Sequence, residues 1–274
     1  MKKNNSVLLS TPYILFMVVF TLIPLGVVGY YALTDPATGA FSLTNLQNLG
    51  MYWGVLWQSI VYSLISAFIC LLLGYPVAYY IAHTGPVAQK LLYMLVMLPM
   101  CMSFLLRTLA WVGLLQDTGL INRLLQAIGL PQLQLIRTPG AVVLGMVYNY
   151  LPFMILPIYS VIVKLDGSLI EAARDLGADS VTVFRKVILP LSLPGVLSGI
   201  TMVFVPSVST FAISRMLGGG TELLLGDLIE RQFLGGAYNP QLGAAISLVM
   251  MAVVVICMLV MNRFGEGEEQ AVML

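Results

Sequence analysis

Glu171, Arg174, Asp175, Asp179, Arg185 and Lys186 form the long charged run of this chain, set between two strongly apolar segments. Their spacing suits recognition rather than bond-making. Ser168 and Glu171 stand at the separation of a capping box, in which Ser168 accepts from the Glu171 N–H and Glu171 reaches back. Leu169, Ala172, Ala173 and Leu176 follow at i, i+3, i+4 and i+7, which puts them on one helical face. The alanines let another surface come close to that face. Gly177 suits the position just past a helix end. Asp179 or Ser180 can cap a second short helix carrying Val181, Phe184 and Ile188. Pro190 marks its end, or a bend into the next segment. The pattern describes two short helices joined by a glycine turn.

For catalysis the chain is poorly equipped. Its one histidine, His83, sits at the end of an apolar segment, and Cys70, Cys101 and Cys257 all fall inside such segments. That argues against a disulfide framework, a metal site or a catalytic residue. An intramembrane enzyme would need paired catalytic groups, and no Asp or Glu lies within an apolar segment. There is no Gly-x-x-x-x-Gly-Lys-Ser/Thr and no Gly-Lys dipeptide, so Walker-type nucleotide binding is not expected in this chain. A net charge of +1 gives no electrostatic case for nucleic acid.

Composition sets the class. The 274 residues are 59% hydrophobic and 9% charged, with mean hydropathy +0.94. A soluble domain carries nearer ~25% charge. The apolar stretches are continuous rather than alternating, which excludes a β-barrel and predicts an all-α membrane protein. A helix needs ~20 apolar residues to cross ~30 Å of hydrocarbon. On that measure the expected spans are roughly 8–32, 59–82, 91–115, 139–163, 191–214 and 241–262, in one transmembrane domain covering 1–274. The N-terminal run is too long for a signal peptide core and lacks a clear cleavage site, so it reads as an uncleaved span.

Cationic residues set the orientation. With the N-terminus inside, Lys2, Lys3, Lys90, Lys164, Arg174, Arg185, Lys186 and Arg263 face the cytoplasm, and only Arg123, Arg137, Arg215 and Arg231 face out. The expectation is N-in and C-in, with loop 164–190 cytoplasmic. Trp53, Trp57 and Trp111 fit an aromatic belt. Pro24, Pro76, Pro99, Pro152, Pro157 and Pro206 interrupt spans, and Gly195-x-x-x-Gly199 suits close helix packing. On residues alone, loop 164–190 is either an amphipathic element resting on lipid or a docking surface for a soluble protein.

A resemblance favours docking. Glu171-Ala172-Ala173, three residues, Gly177, nine residues, Val187, one residue and Leu189-Pro190 is similar to the EAA loop of ABC importer permeases, with Val187 where the pattern has Ile. The loop also stands where that family has it, between the fourth and fifth of six spans. The resemblance covers essentially the whole chain and implies the six-helix MetI-like fold. It also implies that Glu171, Ala172, Ala173, Arg174, Asp175, Gly177, Leu189 and Pro190 couple to an ATPase. The implied partners are two ATP-binding subunits holding ATP and Mg, a second homologous permease and an extracytoplasmic solute-binding protein, in the cytoplasmic membrane of a bacterium.

The stretches 74–82, 151–166, 171–178, 189–200 and 223–234 resemble the spermidine/putrescine permease group in particular, which implies polyamine import. At Ser214-Arg215-Met216-Leu217-Gly218-Gly219 the chain departs from that group, where an acidic residue commonly precedes the Leu-Met-Gly-Gly-like segment. For a cation, Tyr148, Tyr150, Tyr159 and Phe211 offer aromatic faces, and Glu222, Asp227 and Glu230 offer charge at the outer mouth. Arg107, alone at membrane depth in its span, suits either a structural role or, with Arg215, an anion such as a phosphonate or sulfate carried by the same machinery.

Overall fold

The computed structural model describes residues 12–13, 15–35, 38–236 and 238–272. The start of the first span, with Lys2 and Lys3, lies outside the described residues. The elements are α1 (Leu15–Ala32), α2 (Trp53–Ala82), α3 (Pro86–Met97), α4 (Phe104–Leu115), α5 (Leu120–Ala127), α6 (Pro139–Ile162), α7 (Gly167–Asp175), α8 (Ser180–Ser209), α9 (Ala212–Leu217), α10 (Leu225–Leu234) and α11 (Pro240–Val272). Among the described residues, five helical stretches are long and apolar enough to cross a membrane, and a sixth crossing exists if a bent pair of helices forms one span.

That bent pair corrects the expected third span. Residues 91–115 do not form one rod. The chain leaves α3 through a 3-10 turn, Leu98–Cys101, extends at Met102 and restarts at α4, with an 87° bend across the break. Pro99 sits inside the turn. It lacks an N–H and its ring crowds the preceding turn, so the α-helix does not continue through it.

Pro190 does not end a helix. Residues Ser180–Ser209 run as one helix, so the second short helix expected in the loop is the beginning of α8. The segment just before the proline, Phe184–Ile188, is a π-turn in which the Leu189 N–H donates to the Phe184 carbonyl. The wider i→i+5 turn makes room for the proline ring without breaking the rod. Pro24 repeats the arrangement in α1, where Val18–Leu22 is a π-turn and the Ile23 N–H donates to Val18. Pro76, Pro152, Pro157 and Pro206 lie within continuous α-helices.

The chain divides into two compact units. The smaller joins residues up to Gly54 with Leu228–Val253. Its core is Ala32, Ala244 and Ala245, packed with Val28, Leu46, Leu49, Phe233 and Leu248. The Asn45 side-chain amide donates to the Thr34 carbonyl at 2.9 Å and pins the turn after α1.

The larger unit joins Val55–Asp227 with Val254 onward, and α6 is at its centre. Small residues bring its neighbours in. A Cβ on Gly199 would lie 2.7 Å from Met154 Sδ, and one on Gly195 would lie 2.9 Å from the Pro157 carbonyl oxygen. The Gly195-x-x-x-Gly199 pair is therefore the seam between α8 and α6. Gly74 of α2 packs on Met154 and Ile155, and Gly145 of α6 receives Ile213 and Leu217 of α9. Small-to-small contact suits a bilayer, where lipid tails are as apolar as leucine and close packing supplies the attraction.

Candidate coupling element and transport path

The candidate coupling element begins with a cap, and the cap is not the expected one. Asp166, not Ser168, is the N-cap of α7, and its Oδ1 accepts from the Ser168 N–H at 2.9 Å. The helix therefore starts two residues earlier than a Ser168 cap would allow, and the Ser168–Glu171 capping box does not form. Asp179 caps the start of α8, accepting from the Thr182 N–H at 3.3 Å. Between them α7 closes as a Schellman motif. Gly177 has φ +82°, its N–H donates to Arg174 at 2.8 Å, and the Ala178 N–H donates to Ala173 at 3.1 Å. A Cβ at Gly177 would meet nothing within 4 Å, so glycine is needed there for its backbone angle, not for space.

Hydrogen bonds hold both caps ionised. The Ser168 backbone N–H, then its hydroxyl, keep Asp166 below the usual carboxylate value, and the Thr182 hydroxyl does the same for Asp179. A lowered folded pKa means that the cap's contribution is complete above the ordinary value of 3.8 and fades as pH falls through the lower folded value. Hydrogen exchange corrected for intrinsic rates should show α7 protection constant from neutral pH down to about pH 4 and falling only below it. Asp166→Asn, which keeps the acceptor, should abolish the acid fall. Asp166→Ala should lower protection at every pH.

One side of α7 faces its own chain. Ile170 and Ala173 are half-buried, and Glu171 and Arg174 line a cleft with Tyr79, His83 and Val183. The other side is bare. Leu176 is 89% exposed, Leu169 is 48% exposed, and Ala172 and Asp175 are exposed beside them. The expected face of Leu169, Ala172, Ala173 and Leu176 is thus split, with Ala173 turned inward. In the first turns of α8, Val183 and Ile188 are buried and Phe184 is half-buried, while Val181 points out. Val183 thus takes the inward place expected of Val181. Phe184 packs edge-on against Tyr75 and Tyr79 of α2, at 5.7 and 5.6 Å. Tyr79 also stacks on His83 at 4.2 Å. Leu189 and Pro190 follow on the same continuous helix, Ser180–Ser209.

The residues proposed for a solute path fall in separate places. Tyr159 pairs with Tyr93 of α3 at 5.3 Å, and Tyr148 pairs edge-on with Trp111 of α4 at 5.4 Å. Tyr150 is buried; its hydroxyl donates to the Pro206 carbonyl at 3.3 Å, near the end of α8 where carbonyls lose their helical donors. Phe211 is half-exposed in the break between α8 and α9. Glu222 is held by α2, accepting at Oε2 from Gln58 at 2.5 Å and from the Tyr62 hydroxyl at 2.7 Å. Asp227, 4% exposed, accepts from the Leu224 N–H at 3.0 Å and so secures the start of α10. Glu230 is half-buried on α10.

Arg107 lies on α4, 8% exposed, and its Nε and Nη1 are buried without a hydrogen-bond partner among the described residues. The Asn149 amide donates to the Gly145 carbonyl at 2.9 Å and to Thr108 at 3.5 Å, while Asn149 Oδ1 has no partner among the described residues. This buried polar group of Arg107, Thr108, Asn149 and Tyr150 is assembled from α4 and α6. Arg107 and Tyr150 were readable as candidates. Asn149, Gln58 and Tyr62 were not, because an isolated polar residue in an apolar run carries no local pattern.

Comparison with known proteins places this architecture. Residues 71–266 match the family described as "Binding-protein-dependent transport system inner membrane component". The spermidine/putrescine transport system permease protein PotB of Haemophilus influenzae is 39% identical over 266 residues, covering 92% of this chain and 93% of that protein. PotB of Escherichia coli is 37% identical, covering 90% and 93%. Among solved structures, a chain of a bacterial ABC transporter involved in the import of the acidic polysaccharide alginate superposes with TM-score 0.76 at 18% identity, over 96% of each chain. A chain of the MetNI methionine ABC transporter superposes with TM-score 0.62 at 19% identity, over 80% of this chain and 97% of that one. The fold is thus shared with chains of transporters that carry unlike solutes. The chain belongs to the family of binding-protein-dependent transport system inner membrane components.

Proposed function

We propose that this chain is a permease subunit of an ABC importer that moves spermidine and putrescine inward. The observation that carries the substrate class is identity of 37–39% with PotB proteins along nearly the full length of both chains. Of two ATP-binding subunits, which hold ATP and Mg, one docks on the bare side of α7. A second homologous permease completes the pathway, and an extracytoplasmic solute-binding protein delivers the solute. N- and C-termini face the cytoplasm, and residues 1–274 act as one permease domain. The chain contributes shape and coupling. Tyr148 and Tyr150 offer aromatic faces, and Glu222 an anionic group, to a polyamine. Closure of the ATPase pair moves α7 and α8 together, and α8 carries that motion to α6 through the Gly195–Gly199 seam.

One observation favours a second reading. The unpartnered Nε and Nη1 of Arg107 suit an anion. The test is ATPase activity of the reconstituted complex with spermidine, putrescine, sulfate and a phosphonate, each with its binding protein present. Polyamines should stimulate turnover by about tenfold or more and the anions should not. Stimulation by an anion alone would overturn the polyamine assignment and leave the permease reading standing.

A further inference from the structure

A groove between α3 and α6 opens at the end of the bundle that carries α7. It holds about 310 Å³ and is lined by Lys90, Tyr93, Met94, Tyr159, Val163 and Lys164. One lysine stands on the α3 wall and the other just past the end of α6. Between them the Tyr93 and Tyr159 rings lie 5.3 Å apart, inclined at 43°. Among the described residues, no carboxylate lines the groove. The nearest in sequence, Asp166, is committed to the Ser168 N–H as the cap of α7.

We propose that this groove binds an anionic phospholipid, with the phosphate between Lys90 and Lys164. Ammonium groups gathered at one groove repel each other, and a phosphate oxygen accepts from both. The tyrosines suit the headgroup level, where one part of the ring is apolar and its hydroxyl is wet. The occupant must be an amphiphile. Leu91, Met94, Leu95 and Leu98 of the same segment are all more than half exposed, so the groove opens onto an apolar surface that an acyl chain can follow. A soluble phosphate would gain the lysines and nothing from that surface.

The experiment uses the transporter purified with its partner subunits from nanodiscs holding equal amounts of phosphatidylglycerol and phosphatidylcholine. Native mass spectrometry then counts the lipids that stay bound. Phosphatidylglycerol should be retained preferentially, and K90Q and K164Q should each lower that preference about fivefold. The double variant K90R/K164R should keep it. Excess glycerol 3-phosphate should not displace the lipid. An unchanged preference in K90Q/K164Q would overturn the proposal, and so would displacement by glycerol 3-phosphate. Loss of the second permease from the K90Q/K164Q complex would also overturn it, because the groove would then face protein.

Discussion

A Gly195→Leu chain should unfold in mild detergent under conditions where the parent sequence stays folded. The reason lies in what the new side chain would meet. A Cβ at Gly195 falls 2.9 Å from the Pro157 carbonyl oxygen and 3.1 Å from Ile158 Cα, both backbone atoms of α6. Backbone in the middle of a helix cannot swing aside as a side-chain tip does, so α8 must back away. Its neighbours Val196, Val203 and Phe204, all buried, then lose their contacts. Overpacking costs typically 1–3 kcal/mol where side chains can yield, and about 3 kcal/mol or more is expected here. Gly26→Leu is the matched control, because a Cβ on Gly26 of α1 meets nothing within 4 Å. It should change stability by less than about 0.5 kcal/mol. Thermal unfolding of the detergent-solubilised chain measures both. Equal stability of the two variants would show that the α6–α8 seam does not hold the larger unit together.

How much of this was legible in the sequence depended on how local the signal was. The long apolar runs were legible because a bilayer imposes length and continuity on each crossing. Gly177 and Asp179 were legible because a helix stop and a helix cap act within a few residues. The N-cap of α7 was misassigned because Asp166 and Ser168 are both good caps two positions apart, and local rules do not choose between them. The break at Pro99 was not legible either. Composition stays apolar through Met102, and prolines at 76, 152 and 157 leave their helices continuous, so the residue type does not announce which proline breaks the rod. The hold of Gln58 and Tyr62 on Glu222 spans 164 and 160 positions, and a contact at that separation leaves no trace in periodicity. Nor could spacing tell Ala172 from Ala173. Adjacent alanines at the edge of one face are equivalent until the packing of Ile170 turns the helix.

Leu176→Asp should uncouple ATP hydrolysis from solute while leaving the chain itself as stable as before. Leu176 is 89% exposed and stands just beyond the last turn of α7, where the Schellman turn at Gly177 fixes its direction. It touches little of its own chain, so the folded state loses almost nothing on substitution, less than about 0.5 kcal/mol. A leucine left so bare beside exposed Leu169 and Ala172 is an apolar patch awaiting a surface. Burying it against the proposed ATP-binding subunit contributes about 1.5–3 kcal/mol, and aspartate would both forfeit that and strand a charge in the interface. Association should weaken by about a hundredfold or more. Ile170→Ala makes the informative contrast. Ile170 is half-buried on the inward side, so its truncation should loosen α7 on the bundle and lower stability first, with weaker coupling as a consequence. The decisive pair of measurements is the thermal midpoint of the isolated permease and the affinity of its complex for the ATP-binding subunit. A Leu176→Asp permease that still binds that subunit at parental affinity would place docking elsewhere than on the bare side of α7.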